Sequence, residues 1–378
     1  MTREIEGLIL VSHAIGSNTL LVQAGGGNTS VKSRDGRSMF IKASGTTLAA
    51  MTENDGWVEV DSSRIRALFR EPDLIDLPDE KREKRVWRIM EESVLSSSSG
   101  RPSVETPFHT LLGKVVIHSH PVPANAVTCN PAGEGILENL TKPGEPRPLW
   151  VPYVKPGFTL AFSLAGHITE YETIHGRIPQ TIFLQNHGFI CTAVTPQRCL
   201  SIHNAWMRKL EDYFGESVQI SETLDEAGIE EPTEVIRGAY KAEGVAEPFV
   251  RFSGKKELLL ASRSENRDML AGALTPDHVV YAGPSALYVQ DDISVGQLRK
   301  ELHSYREKYG ILPKLIAAEN RGVCVAVDSE AEAEAAEALA AAAVEIYLRA
   351  KGNIRFMIPE DVSFILNWEA EDYRIQQV

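Results

Sequence analysis

The stretch 115–120 reads VVIHSH. Val115, Val116 and Ile117 are β-branched, which favours a buried strand. Side chains alternate faces along a strand, so His118 and His120 point the same way. A fold containing this segment must therefore end a buried strand with two imidazoles side by side. Such a pair can ligate a divalent metal through its ring nitrogens. The same pattern also arises from two ordinary histidines, one of them capping a loop.

QNHGF places a third histidine, His187, after the apolar run TIFL and before a glycine. That is a strand exit where a side chain can face a cavity. Three imidazoles so placed make a facial triad with open positions for a substrate or a carboxylate. Glu105, in RPSVETPFH, is the carboxylate candidate. It stands just before Thr106 and Pro107, a hydroxyl cap and a first-turn proline that predict a helix start. A carboxylate there is favourable on electrostatic grounds alone. Its functional alternative is a general base that reaches a metal-bound substrate. AGGGNTSVK and the later KASGT supply backbone N–H groups and hydroxyls able to cradle an anion. Tight turns account for the same glycines, and the pattern is neither GxGxxG nor a P-loop.

Residues 1–20 read as an amphipathic helix bearing Glu4 and Glu6, not as a signal peptide. Short strands follow in NTSVK, MFIK and WVEVD, then charged helical material and the serine-rich loop VLSSSSGRPSVE. TLAFSLAGHITEYETIHG and TPQRCLSIHNAWMRKLEDYFGES read as helices, with the strand-like TIFLQNHGFICTA between them. The composition turns acidic and poor in large apolar residues around 220–248, apart from a short helical stretch near VIRGAYKA. A linker is placed at 221–248, between domains 1–220 and 249–378. The second domain reads as helix (Lys255 to Leu270), strand (HVVYAG and ALYV), helix, strand (KLIAAENRGVCVAV) and an alanine-rich helix over 328–350.

With 378 residues, 43% of them hydrophobic, the chain can hold two cores. A net charge of −13 without a basic run argues against nucleic acid or a membrane surface as partner. No apolar run approaches the length of a membrane span. Cys129, Cys191, Cys199 and Cys324 form no CxxC and read as free thiols of a reducing cytosol, so the expected location is cytoplasmic.

GGGNTS, KASG, PSVE, HSH and NHG occur in that order, and together they resemble the class II aldolase/adducin family over residues 1–215. The resemblance implies an α/β fold: an N-terminal αβα sandwich around a central mixed or antiparallel sheet, with a smaller C-terminal α/β domain. It implies Zn²⁺, or another divalent ion, held by His118, His120 and His187, with Glu105 as acid/base. It assigns Asn28, Thr29, Ser44, Gly45 and Ser103 to a substrate phosphate. One departure stands out: Val104 replaces the second serine of the family's PSSE. Tyr153, in WVPYVKPG, is the candidate second acid at an aldehyde oxygen, with a buried core tyrosine as its alternative. His109, one helical turn beyond Glu105, is read as a supporting residue.

The implied activity is that of a zinc-dependent lyase, an aldolase that makes or breaks a C–C bond in a small sugar phosphate or related ketose through an enediolate. A 4-epimerase or dehydratase on the same scaffold is an alternative, as is a non-enzymatic adducin-like scaffold protein. The family's subunits commonly form tetramers, so a homo-oligomer is expected. TPDHVVYAGPSALYV and IPEDVSFILNWEAEDYRIQQ resemble the region that follows the aldolase domain in rhamnulose-1-phosphate aldolase/short-chain dehydrogenase fusions. The chain stops before a dehydrogenase domain, and NRG at Asn320 to Gly322 stands where those proteins often carry GLG.

Overall fold

Short runs rich in β-branched and aromatic residues, most of them buried along their whole length, build a seven-stranded sheet in the N-terminal half. Its strands are β1 (Asn28–Lys32), β2 (Ser38–Lys42), β3 (Trp57–Asp61), β4 (Val115–Ser119), β5 (Leu149–Val151), β6 (Thr181–Leu184) and β7 (Gly188–Ala193), in the spatial order β3-β2-β1-β4-β7-β6-β5. Every neighbouring pair is antiparallel except β5 with β6. The computed structural model describes residues 2–71, 73–95, 100–215, 220 and 230–368. These fall into two compact units. One holds the chain up to Thr128 together with Ala132–Tyr213; the other holds Cys129–Pro131 and the chain from Phe214 onward.

The helices of the first unit are α1 (Arg3–Gly16), α2 (Ser62–Arg66), α3 (Asp79–Glu92), α4 (Thr106–Leu111), α5 (Val122–Thr128), α6 (Gly133–Leu140), α7 (Phe158–His175) and α8 (Pro196–Phe214). Strand alternation sorts them into layers. Asn28 lies opposite His118 and Thr29 opposite Ile117, so odd and even positions face different helices. The Thr29 hydroxyl lies 2.6 Å from that of Ser12 on α1, and Ser119 lies 2.9 Å from His203 on α8. On the opposite face Ser30 lies 2.7 Å from His109 on α4. The main core of this unit is on the α4 face, where Met39, Ile41 and Val116 of the sheet meet Phe108, Phe158 and Leu164. The unit is thus an αβα sandwich with a mixed, mostly antiparallel sheet.

Several local expectations shift. TIFLQNHGFICTA is a hairpin, β6 and β7, turning at Gln185–His187 with Asn186 at φ 50°. Asparagine tolerates that left-handed backbone. The cap of α4 is Glu105, with no side-chain cap bond, and the Thr106 hydroxyl instead donates to the Ser103 carbonyl at 2.5 Å. The loop VLSSSSGRPSVE falls in part on 96–99, outside the described residues.

The second unit pairs β8 (Phe249–Phe252), β9 (Leu287–Val289), β10 (Leu315–Ala318) and β11 (Gly322–Val327) in the order β8-β11-β10-β9, with β9 and β10 parallel. Its helices are α9 (Glu230–Ala242), α10 (Lys256–Ala261), α11 (Val295–Tyr309), α12 (Glu330–Arg349) and α13 (Pro359–Leu366). Of the stretch 221–248 expected as a linker, 221–229 lies outside the described residues and 230–242 is α9. Ile236, Ala239 and Tyr240 sit at i, i+3, i+4 and are buried in the core of this unit, an apolar face that the acidic composition masked. The helix expected over Lys255–Leu270 breaks after α10 and resumes as a 3₁₀ turn over Ser264–Leu270. HVVYAG, expected as a strand, is a π-helical turn over His278–Ala282. Thr275 bonds the His278 ring at 2.7 Å to open it, and Gly283 at φ 87° closes it. Val279 and Val280 are both buried, so burial on all sides overrides their strand preference. KLIAAENRGVCVAV is the hairpin β10–β11, turning at Asn320 with φ 59°. The end of the resembling C-terminal stretch, 369–378, lies outside the described residues. No helix among the described residues is long and apolar enough to cross a membrane.

Candidate metal centre

β4 delivers His118 and His120 to one face at its C-terminal end, and the β6–β7 turn delivers His187 beside them. One ligand atom from each lies within 4.8 Å of the others, and all three residues are buried. The ring centroids are 4.8, 5.0 and 5.2 Å apart. The Nε2 atoms of His118 and His120 are 3.0 Å apart. Two imidazole nitrogens at that spacing share either one proton or one cation. Tetrahedral Zn²⁺ with bonds of about 2.0–2.1 Å sets its nitrogens about 3.3 Å from one another. Gly188 makes the approach feasible: a Cβ there would meet His120 Cδ2 and the Ser119 carbonyl, each at 2.6 Å. Gly27, at φ 63°, lets the glycine-rich loop pass the His118 carbonyl, which a Cβ would meet at 2.8 Å.

The rings are oriented from behind. His118 Nδ1 donates to the Phe189 carbonyl at 3.1 Å, which leaves the Nε2 lone pair facing the cluster. Phe108 packs edge-on against the same ring, with centroids 5.6 Å apart. Burial pushes the His118 imidazole down to about 3; nearby Glu105 offsets part of that, and the other two imidazoles add to it. The ring is therefore neutral at pH 7, the form that ligates metal.

Glu105 faces this cluster from the start of α4. Its Oε2 lies 3.4 Å from His118 Nε2 and its Oε1 lies 3.2 Å from His187 Nε2. Oε1 is buried, and this approach of His187 is the contact it makes on the imidazole side. Burial pushes the Glu105 carboxyl up, but His118, then the approach of His187 and the charge of His187 and His120, outweigh it and hold the carboxyl well below the usual range. The orphaned carboxylate oxygen and the converging imidazole nitrogens fit a divalent ion.

A second tier holds the carboxylate. Asn28 Nδ2 donates to Glu105 Oε2 at 2.5 Å and to the Ser103 hydroxyl at 3.2 Å. Asn28 Oδ1 accepts from His109 Nε2, and His109 Nδ1 accepts from the Ser30 hydroxyl at 2.7 Å. Burial, then the nearby His118, holds the His109 imidazole well below its usual range, so one neutral tautomer runs through the chain. Ser30 is the member that sequence reasoning missed. It stands two residues after Asn28 in β1, on the same strand face, and that spacing was the signal.

The other candidates divide. The Ser103 hydroxyl accepts from Asn28 and from the Glu105 N–H at 3.3 Å, and its own proton has no acceptor among the described residues. Ser44 and Gly45 form a turn tied to the Ser103 loop by the Ser44 N–H, which donates to the Arg101 carbonyl at 2.8 Å, and Gly45 takes φ 82°. Lys42 donates to the Gly25 carbonyl at 3.1 Å, linking this strand to the glycine-rich loop. Thr29 does not join them: its hydroxyl is fully buried against Ser12 on the far face of the sheet. Tyr153 follows β5, and its N–H donates to the Gln185 side chain at 3.0 Å, which sets its backbone beside the turn that carries His187. Val104 is half-buried.

The sequence of YuxG from Bacillus subtilis (strain 168), an uncharacterized oxidoreductase, is 28% identical over 76% of this chain. This chain spans 42% of the length of that protein. Among solved structures, the N-terminal class II aldolase domain of a conserved protein from Thermoplasma acidophilum is 25% identical, covers 56% of this chain and 94% of its own, and has a TM-score of 0.46. The L-fuculose-1-phosphate aldolase of Thermus thermophilus is 18% identical, covers 56% of this chain and 91% of its own, and has a TM-score of 0.33. The family model described as class II aldolase and adducin N-terminal domain matches residues 7–207, which contain every group of the centre just described. The chain belongs to the class II aldolase and adducin N-terminal domain family.

Proposed function

We infer that this chain is a metal-dependent aldolase acting on a small sugar phosphate or related ketose, with Zn²⁺ as the ion. The observation that carries the reading is Glu105: a buried carboxylate facing three imidazoles, with one oxygen held and the other unbonded. His118, His120 and His187 would hold the ion, which supplies a Lewis acid for negative charge on a substrate carbonyl oxygen. Asn28 fixes Oε2 of Glu105, so Oε1 is the basic oxygen. In the cleavage direction Glu105 returns a proton to the carbon next to the carbonyl; in condensation it removes that proton. The unclaimed hydroxyl proton of Ser103 suits an anionic substrate group, with the Ser44–Gly45 turn tied to the same loop. We assign Tyr153 to the aldehyde oxygen, from its place next to the His187 turn.

The test has two arms. Elemental analysis of the protein purified with divalent metals available should find one ion per chain, and His118→Ala should lose it. The metal-loaded protein, offered ketose phosphates and free ketoses, should release an aldehyde and a three-carbon ketone detectable by NMR. Absence of metal under replete conditions would overturn the reading in favour of a scaffold protein. Inversion of a carbinol carbon or loss of water, without cleavage, would reassign the chain to an epimerase or a dehydratase.

A further inference from the structure

The far end of the sheet carries a basic pocket that the metal centre does not use. A cavity of about 250 Å³ is lined by Gly36, Ser62, Ser63, Arg66, Ala67 and Arg70. It lies by the β1–β2 turn and α2, whereas the centre lies at the opposite end of β1, where Asn28 meets His118. In a chain of net charge −13, arginines ordinarily find carboxylates. Around this pocket Arg64 pairs with Glu92 and Arg85 with Glu71. Arg66 and Arg70 have no carboxylate partner among the described residues. The nearby acids are engaged elsewhere: Asp61 accepts from the Ser63 and Arg64 N–H groups, and Asp35 from the Ser33 hydroxyl and the Arg37 N–H.

Two further observations point to an anion. Ser62 is only 2% exposed, lines the cavity, and its hydroxyl has no hydrogen-bond partner among the described residues. Arg66 is held in place, donating to the Thr110 carbonyl, so its planar fork is ordered before any ligand arrives. Lys32, buried below in the same region, donates to the Leu112 and Gly113 carbonyls; burial first, then Arg66, pushes its ammonium down to about 7.

We propose that this pocket is a second anion site and that its ligand is a small phosphate monoester, bound by Arg66, Arg70 and the Ser62 and Ser63 hydroxyls. The lining offers donors and no free acceptor charge, which suits a dianion whose oxygens accept only, and two guanidiniums match phosphate oxygens in pairs. At about 250 Å³ the space is below that of drug-sized pockets, so the organic part is compact. The site does not depend on the activity inferred above.

The experiment is a calorimetric titration of the full chain with inorganic phosphate at constant ionic strength. It uses the Ser103→Ala protein, so that phosphate binding at the metal centre does not contribute. One saturable site per chain is expected. Adding Arg70→Ala should weaken it about 10–100-fold, and Arg70→Lys should weaken it less, since charge remains while the fork is lost. Circular dichroism establishes that each variant is folded. The site is overturned if the Ser103→Ala protein shows no saturable binding, or if Arg70→Ala leaves the affinity unchanged. Tighter binding of malonate than of phosphate overturns the phosphate assignment.

Discussion

His109→Phe is the sharpest probe of the tier behind Glu105. Phenylalanine keeps the ring volume and the stacking on Phe108, whose centroid lies 4.8 Å from that of His109. It removes both ring nitrogens. Asn28 Oδ1 then loses its donor and the Ser30 hydroxyl its acceptor, and both residues are buried. Leaving a buried polar group unpaired costs about 1–3 kcal/mol. The Ser30 hydroxyl can rotate towards another acceptor, so the sum for the two groups belongs in the lower part of the range, about 2–4 kcal/mol. The amide of Asn28 is also freed to turn over. Turned, it sets Oδ1 against Glu105 Oε2, where a donor now stands at 2.5 Å, and the carboxylate must move.

Two assays read these effects separately. Native-state hydrogen exchange at β1 and β4 reports the loss of stability where it arises. Proton exchange at the enolisable carbon of dihydroxyacetone phosphate reports Glu105 and should fall about 10–100-fold. Metal content should stay at one ion per chain, because His109 touches none of the three imidazoles through a hydrogen bond. In His109→Gln the amide N–H can still reach Asn28, so much of the exchange rate should return. A His109→Phe protein with wild-type protection and wild-type exchange would refute the reasoning, as would a glutamine variant no better than phenylalanine.

Glu105→Gln should keep metal and fold while the same proton exchange falls by about 10²–10⁴-fold, since glutamine preserves shape but accepts no proton; an unchanged rate removes Glu105 from the chemistry. Gly188→Ala should cut metal affinity at least about tenfold by displacing the His120 ring from its 2.6 Å neighbour position, measured by competition with a chromogenic chelator; wild-type affinity would mean the turn yields freely. Glu83, whose Oε2 accepts from the Phe158 N–H at 3.4 Å, is pushed up to about 7, chiefly by burial. A carboxyl raised on folding contributes stability below its unfolded range near 4.5 and loses it as pH rises through about 7. Glu83→Gln should therefore gain stability over wild type above pH 7 and flatten the decline between those limits; parallel thermal-melt profiles of the two proteins would count against it.

How much was legible depended on which rule was applied to which residues. Strand alternation applied to HSH placed His118 and His120 on one face, and their nitrogens do converge. The same rule was available for NTS and was not used there. Asn28 and Thr29 are adjacent in a strand, so they cannot both face one ligand. Thr29 accordingly turns to Ser12, while Asn28 and Ser30 share the face that meets Glu105 and His109. The hairpins were hidden for a different reason. QNHG and ENRG each turn on an asparagine at positive φ, flanked by apolar runs long enough to pass for one strand. The π-turn at His278–Ala282 lay beyond periodicity altogether, because Val279 and Val280 are both buried and no alternation survives.

The two departures at the anion end of the centre work together. The family pattern offers hydroxyls at three places: after the asparagine of the glycine turn, in the KxSG turn, and twice in PSSE. In this chain the first faces away, and one of the last is Val104. What remains in front of the imidazoles is Ser103, the Ser44–Gly45 turn and the amide of Asn28, and that amide already donates to Glu105 and Ser103. Both donations of the Asn28 amide thus go to Glu105 and Ser103. Its second partner, Ser103, is left with one proton to give. A substrate anion at this end meets the Ser103 hydroxyl and the Ser44–Gly45 turn. Arg66 and Arg70, which have no carboxylate partner among the described residues, lie at the other end of β1. If phosphate binds at both the centre and the second pocket, its affinity for the intact chain is expected to be the sum of the two, and Ser103→Ala against Arg70→Ala should divide it between them.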